Sequence, residues 1–199
     1  MASDATSMVA WVALATAGVG LLAILFIILL YTVNSVFGSL NDICNGLLGI
    51  LSGVLAVMLY DQYGAQSPLL GLVGLVLALA GAVVVVVGSA LVVSGRTGWY
   101  RAGFYTMAGF AGIGLWLVGQ NLLVQPADGW PQSLVIAGLV VGGLMILGLA
   151  ALPGLFSGID SWQTSPWYLK YIGMSASSLG WLVLYPLWCL WLGLTFLFT

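Results

Sequence analysis

The sequence from Pro68 to Val93 reads PLLGLVGLVLALAGAVVVVVGSALVV and contains no charged residue. A helix that spans the hydrocarbon core of a bilayer needs about 20 consecutive apolar residues. The run of valines at 83–87 would favour a strand in water. In lipid, however, an isolated strand leaves its backbone groups without hydrogen bonds, whereas a helix satisfies them internally. The stretch therefore predicts a transmembrane helix.

Composition extends this prediction to the whole chain. Of the 199 residues, 62% are hydrophobic and only 4% are charged, compared with about 25% charged residues in soluble domains. So few charged side chains cannot cover the surface of a water-soluble protein of this size, and the outer surface must contact lipid. No basic stripe with interleaved aromatic residues is present, so nucleic-acid binding is not expected.

Five further stretches have the length and apolar character of a transmembrane helix. The predicted fold is an all-α integral membrane protein, a six-transmembrane-helix bundle with short loops that forms a single transmembrane domain over residues 1–199. The predicted helices cover residues 8–31, 43–60, 68–93, 103–124, 131–152 and 176–198.

Residues between these segments predict where the helices begin and end. Asn41-Asp42 are predicted to cap the second helix, and Pro153-Gly154 to end the fifth. Within the 153–175 loop, Ser165-Pro166 precede the sequence WYLKYI, which predicts a short helix in the membrane interface. Because no predicted span contains Asp, Lys or Arg, we expect no ionisable side chain in the bilayer interior.

The distribution of charges predicts an orientation. Six helices place all the basic residues, Arg96, Arg101 and Lys170, in loops on one side of the membrane. The positive-inside rule assigns that side to the cytoplasm, which makes both termini non-cytoplasmic. We expect the cell membrane as the location. The acidic residues are divided between the two sides, with Asp42 and Asp160 on the basic side and Asp4, Asp61 and Asp128 on the other.

Aromatic residues of the sixth segment form one candidate site. Trp181, Tyr185 and Trp188 follow one another at spacings of four and three, which places them on one helical face. Pro186 removes a backbone hydrogen bond and should bend the helix there. Such a face could bind a flat apolar ligand or another membrane subunit. The alternative is packing of the large rings against glycine-rich helices of the same chain.

Amide side chains form a second candidate set. Asn45, Gln120 and Asn121 lie within predicted spans and could give a solute pathway a polar lining. All three lie near helix ends, so a structural role is the alternative. Small residues also recur on helix faces, which predicts close helix packing rather than a pore lined by backbone. These stripes are Gly46, Gly49, Gly53 and Ala56; Gly71, Gly74, Ala78 and Gly81; and Gly138 and Gly142.

A weak internal similarity links the fourth and sixth segments. Trp99-Tyr100-Arg101 and Trp167-Tyr168-Leu169-Lys170 precede them, and each segment then reaches a Gly-x-Trp or Gly-Trp element, Gly114-Leu115-Trp116 and Gly180-Trp181. Segments three and four could therefore repeat as five and six. Recurrence of Trp, Tyr and cations at any membrane interface is the alternative.

Residue types also limit the function. Histidine and glutamate are absent, which removes the commonest general bases and argues against an enzyme. Neither a metal nor another cofactor is expected, and the separated Cys44 and Cys189 are interpreted as packing residues. We predict a structural or accessory subunit that contacts membrane lipid and other membrane subunits or further copies of itself. The alternative is a small carrier or channel for a neutral or apolar solute or lipid.

Overall fold

The structure, a computed structural model, describes residues 2–125 and 128–198, with side chains from residue 6 onward. Within these residues the chain is helical and contains no strand. The α-helices are α1 Ala2–Thr32, α2 Val36–Tyr63, α3 Pro68–Val93, α4 Trp99–Leu123, α5 Gln132–Ile146, α6 Leu152–Phe156 and α7 Tyr185–Phe198. Tighter 3-10 turns cover Gly64–Gln66 and Leu147–Ala151, and wider π-helical turns cover Tyr168–Ala176 and Leu179–Leu184.

Six of the helical segments are long and apolar enough to cross a membrane, which confirms the predicted all-α six-helix architecture. The fifth span joins α5 to α6, and the sixth joins the π-helical turns to α7. The spans are Thr6–Thr32, Val36–Gln66, Pro68–Val93, Trp99–Leu123, Gln132–Phe156 and Tyr168–Phe198.

Several helix ends differ from the predicted bounds, although 68–93 is reproduced. The second helix begins at Val36 instead of residue 43, so Asn41 and Asp42 lie inside α2 and the predicted cap is wrong. Both side chains are buried by neighbouring helices. A helix face that contacts protein need not be apolar, and hydropathy therefore underestimates the length of such a helix.

The start of the sixth span also differs from the prediction. The short helix predicted after Ser165 is present as helical turns, but they continue without a break into the span from Tyr168 to Phe198. These turns continue into the span because they pack closely against the fifth span. A Cβ atom on Gly173 would lie 3.0 Å from the backbone nitrogen of Ala151. Pro153 does not end the fifth span either, since it occupies the first turn of α6, where no donor is needed.

The six spans form a closed ring in chain order, with the sixth contacting α1. Helix α4 packs against α3 and α5 and also reaches α2. Of the 18 most apolar consecutive residues of this span, 67% are buried, compared with 28% for the first span. It also has the lowest mean hydropathy of the six, 1.4. These two facts agree, because a helix surrounded by protein is not selected for contact with lipid.

Glycines form the closest helix contacts, which confirms the predicted packing role of the small residues. A Cβ atom on Gly81 of α3 would lie 2.3 Å from the carbonyl oxygen of Gly109 on α4. Likewise, a Cβ atom on Gly142 of α5 would lie 2.8 Å from the carbonyl oxygen of Gly114. The helices approach this closely only because these positions lack a side chain, as is common in helix pairs within lipid.

Pro186 lies just after the π-helical turns Leu179–Leu184, at the start of α7. A π-turn widens the backbone, and proline is a common reason for such irregularity because its ring displaces the preceding turn. The ring packs on α1, where a Cβ atom at Gly20 would lie 2.3 Å from Pro186 Cγ.

Side-chain bonds identify which loops share an end of the bundle. At one end, Gln66 Nε2 donates to Asp128 Oδ2 at 2.9 Å, which joins the loops after α2 and α4. At the other end, the hydroxyls of Tyr100 and Ser165 lie 2.5 Å apart. We call the latter the basic end, because its segments carry Arg96, Arg101 and Lys170. The side chain of Asp4 and loop residues 126–127 lie outside the described part of the chain.

Candidate ligand-binding cavity

A cavity of about 430 Å³ opens at the basic end, between the ends of α1, α2 and α4 and the start of the sixth span. Its volume lies within the usual range for small-molecule sites, about 300–1,000 Å³. Both Trp-Tyr segments singled out in the sequence begin helices at this end. The lining residues are Tyr31, Asn41, Asp42, Asn45, Trp99, Tyr100, Gly103, Thr106, Met107, Trp162, Met174, Ser175, Ser178 and Trp181.

Five aromatic side chains line the cavity, and neighbouring groups hold several of them in place. Trp181 stacks on Phe110 of α4, with the ring centroids 4.6 Å apart and the planes 3° from parallel. Tyr100 is held by its hydroxyl contact with Ser165. Trp162 comes from the segment between α6 and the sixth span, and Lys170 Nζ lies 5.9 Å from the centre of its ring. A cation at this distance interacts favourably with the face of a tryptophan.

Asn41 and Asn45, one turn apart on α2, supply polar groups to the same cavity. Asn41 Nδ2 donates to the carbonyl oxygen of Ala23 on α1 at 2.9 Å, and Asn45 Nδ2 donates to Asn41 Oδ1 at 3.1 Å. This chain orients both amides. Asn45 Oδ1 is buried and has no hydrogen-bond partner among the described residues. Asn45, a lining residue, therefore has an acceptor atom that the described residues do not use.

A second lining residue, Trp181, has an unused donor atom. Trp181 is only 5% exposed, and its Nε1 has no hydrogen-bond partner within residues 2–125 and 128–198. Buried polar groups in proteins are nearly always paired, and each exception needs an explanation. Two exceptions of opposite type, Asn45 Oδ1 and Trp181 Nε1, belong to residues that line one cavity, although the two atoms themselves are shielded.

Asp42 is the one ionisable acid of the cavity lining. It lies in the second turn of α2, within the span Val36–Gln66, and its side chain is 8% exposed. The predicted second helix, 43–60, began too late to include Asp42 and left it in a loop. The expectation of no ionisable side chain in the bilayer interior stays a prediction, because Asp42 lies near the end of its span. A buried acid within a span is a candidate functional residue, since placing a charge there is unfavourable without a partner.

The structure separates the three aromatic residues predicted to act together. Trp181 lines the cavity, whereas Tyr185 and Trp188 are buried in the bundle core. Tyr185 OH donates to Ser52 Oγ at 2.9 Å, and Trp188 Nε1 donates to the carbonyl oxygen of Leu134 at 3.1 Å. Their polar atoms are thus used inside the protein. A ligand or partner for this set of residues stays a prediction, with Trp181 as its member at the cavity.

The three predicted amides are divided in the same way. Asn45 lines the cavity, whereas Gln120 and Asn121 are buried near the other end of α4. Asn121 Nδ2 donates to the carbonyl oxygen of Leu117 at 2.8 Å, and its side chain packs on Gly138 of α5. Gln120 lies 13 residues beyond Met107 on the helix, or about 20 Å along its axis. The predicted polar lining therefore does not form one continuous path among the described residues.

Sequence reasoning missed most of the cavity wall. Tyr31, Trp99 and Tyr100 lie near helix ends, where aromatic side chains usually anchor a protein at the interface. Trp162 lies in a loop and gave no helical pattern. The available signal was the concentration of these rings at one end of the bundle, together with the Asn41, Asp42 and Asn45 cluster at the start of α2.

Metal ligands are not clustered in this part of the molecule. Within the described residues, no group of three or more His, Cys, Asp or Glu side chains could hold a metal ion. Cys44 and Cys189 are buried free thiols and do not line the cavity. Comparison with protein-family models, with curated proteins and with solved structures gives no match. The function must therefore be inferred from the chemistry of the site itself.

Proposed function

We propose that this membrane protein binds a small amphipathic molecule in the cavity at its basic end and acts as a small carrier for a solute or lipid. The observation that carries the proposal is a cavity of about 430 Å³ whose lining combines five aromatic side chains with the amides of Asn41 and Asn45 and the carboxylate of Asp42. A ligand with an apolar body would contact the rings, and its polar group would meet the amides and the carboxylate.

Access to the cavity supports this proposal. Three of the lining aromatic side chains, Tyr31, Trp99 and Trp162, are also exposed on the protein surface. They come from different segments, α1, α4 and the segment before the sixth span. A molecule that partitions into the interfacial region of the bilayer would meet these rings first. Aromatic side chains at that depth suit ligands that have both an apolar and a polar part.

The accessory-subunit hypothesis remains the second candidate from the sequence. One of its supports was an abundance of small residues available for contact with another subunit. The structure uses many of them internally, for example Gly49 against Val85 of α3 and Gly74 against Trp116 of α4. Catalysis is not proposed, because the cavity lining combines one carboxylate with hydroxyl and amide groups and includes no histidine or cysteine.

A blocking substitution tests the binding function. Gly103 of α4 lines the cavity, and a Cβ atom there would lie 3.8 Å from Met107 Cε and 3.9 Å from Met174 Cε, which is ordinary contact. Gly103→Leu should therefore fill the cavity without displacing a helix. Native mass spectrometry of protein extracted in a mild detergent should show a bound small molecule in the wild type and not in Gly103→Leu.

The matched control is Gly143→Leu on α5, where a Cβ atom has nothing within 4 Å. This variant should retain the bound molecule. Retention by Gly103→Leu at the wild-type level would contradict the proposal. A stable complex with other subunits, together with no bound small molecule in any variant, would favour the accessory role instead.

We also propose that the basic end faces the cytoplasm, that both termini are non-cytoplasmic and that the protein resides in the cell membrane. The positions of Arg96, Arg101 and Lys170 at one end support this orientation. A reporter that is active only outside the cytoplasm, fused after Thr199, should be active. A second fusion within the loop between α3 and α4 should be inactive. The reverse pattern would overturn the orientation.

A further inference from the structure

Asp42 is the one charged residue in the cavity lining, although the end of the bundle that contains the cavity is basic. Arg96, Arg101 and Lys170 are absent from the lining, and Lys170 Nζ lies 5.9 Å from the ring centre of the lining residue Trp162. Within the part of the chain that the structure describes, Asp42 has no hydrogen-bond or ion-pair partner. A buried carboxylate without a partner is unfavourable, and a cation brought by a ligand would compensate it.

The oxygen acceptors of the cavity lie close together on α2. Asp42 and Asn45 are three residues apart, which places their side chains on one face of the helix. Asn45 Oδ1 is the acceptor left without a partner. Among the described residues no hydrogen bond joins Asn45 to Asp42, and one N–H of Asn45 Nδ2 donates to Asn41 Oδ1. The arrangement therefore places a carboxylate and an amide on one face of α2 at this position of the wall.

Aromatic rings line the same cavity as this carboxylate and amide. Tyr31, Trp99, Tyr100, Trp162 and Trp181 each contribute to the wall. The faces of tryptophan and tyrosine rings carry negative potential, and they attract organic cations, with quaternary ammonium groups as the best known example. A carboxylate combined with several rings thus favours a cation that also has apolar surface. A small hydrated metal ion would gain little from the rings.

We propose that the ligand of this cavity carries an ammonium group on an apolar body, with the cationic nitrogen beside Asp42 and the apolar part against the rings. This inference rests on the proposed binding function and specifies its ligand class. The ammonium group belongs either to a free organic cation or to the headgroup of a choline or ethanolamine lipid. In both sources, Asp42 supplies charge recognition and the rings contact the apolar part.

Two probes of the same shape separate charge from size. Phenyltrimethylammonium is cationic, and tert-butylbenzene is its neutral isostere. Binding of each to the full-length protein in maltoside micelles, measured by equilibrium dialysis against protein-free micelles, should favour the cation in the wild type. Asp42→Asn keeps the shape of the side chain and removes its charge. It should weaken binding of the cation by at least about tenfold and leave binding of tert-butylbenzene unchanged.

Asp61→Asn is the matched control, because Asp61 is an exposed residue of the same helix and lies at the opposite end of the bundle. It should not change the affinity for phenyltrimethylammonium. Displacement by dihexanoylphosphatidylcholine, but not by dihexanoylphosphatidylglycerol, would identify a lipid headgroup as the source. Failure of both lipids to displace the cation would identify a free organic cation.

The outcomes separate this inference from the function on which it rests. If both probes bind equally, if Asp42→Asn has no effect and if Gly103→Leu abolishes binding of both, the cavity binds small molecules but the ammonium inference is overturned. If neither probe binds the wild type, the ammonium inference is also overturned. If binding of both is unchanged in Gly103→Leu, the binding function of the cavity is overturned as well. Size-exclusion chromatography of the Asp42→Asn variant verifies that this variant is folded.

Discussion

The contact between Gly81 and Gly109 gives a quantitative test of how the bundle is held together. Gly81→Ala adds one methyl group, whose carbon would lie 2.3 Å from the carbonyl oxygen of Gly109. Ordinary contact begins at 3.4 Å. The backbone oxygen cannot rotate away, so α3 and α4 must separate by about 1 Å, which forfeits up to about half of each affected dispersion contact.

The cost can be estimated from these distances. Overpacking of a well-packed interior costs about 1–3 kcal/mol, and a rigid backbone neighbour places Gly81→Ala near the upper value. Alanine recovers about 1 kcal/mol through its better helix propensity. We therefore expect the free energy of unfolding to fall by about 2 kcal/mol, or a factor of about 30 in the ratio of folded to unfolded protein.

Gly143→Ala is the matched control, because it makes the same chemical change within α5 at a position with nothing within 4 Å of the new methyl group. It should raise the free energy of unfolding by up to about 1 kcal/mol. Unfolding by sodium dodecyl sulfate in mixed micelles, followed by the fluorescence of the nine tryptophans, measures both variants. A Gly81→Ala protein within about 0.5 kcal/mol of the wild type would refute the assignment of this contact as a rigid one.

Two further substitutions test the core. Tyr185→Phe removes the hydroxyl that donates to Ser52 Oγ at 2.9 Å, and in the same unfolding assay it should cost about 0.6–1.7 kcal/mol, the range for such bonds between membrane helices. Tyr171→Phe, an exposed position of the same span, should have no effect, and equal losses in both would contradict the assigned bond. Gly138→Leu directs a side chain into Asn121, since a Cβ atom there would lie 2.3 Å from Asn121 Nδ2. It should lower the temperature at which the detergent-extracted protein aggregates, as monitored by size-exclusion chromatography, whereas Gly143→Leu should leave that temperature near the wild-type value.

Much of the fold could be predicted from the sequence because lipid imposes a simple rule on exposed helices. The span Pro68–Val93 illustrates this, since its apolar run and the preceding serine and proline mark both ends correctly. The rule fails where a helix faces protein. Asn41 and Asp42 are polar, yet they lie inside α2, because Ala23 of α1 and the neighbouring helices surround them.

The candidate site was predicted only in fragments. Asn45 and Trp181 were both named from the sequence, but in separate sets of residues whose other members lie elsewhere. Helical periodicity places Trp181, Tyr185 and Trp188 on one face, but it does not reveal that Tyr185 meets Ser52 while Trp181 reaches a cavity. The π-helical turns before Pro186 also change the spacing on which that periodicity depends.

The amino-acid sequence by itself determined that this is a membrane protein of six helical spans whose basic residues lie toward one end of the bundle. The physical reason is that apolar length and charge act locally, through the solvent that each segment meets. Only the tertiary structure decided that Asp42 is buried within a span and shares a cavity with Asn45 and Trp181. Those residues come from different helices, and their proximity depends on how closely the glycine-containing helix faces approach one another.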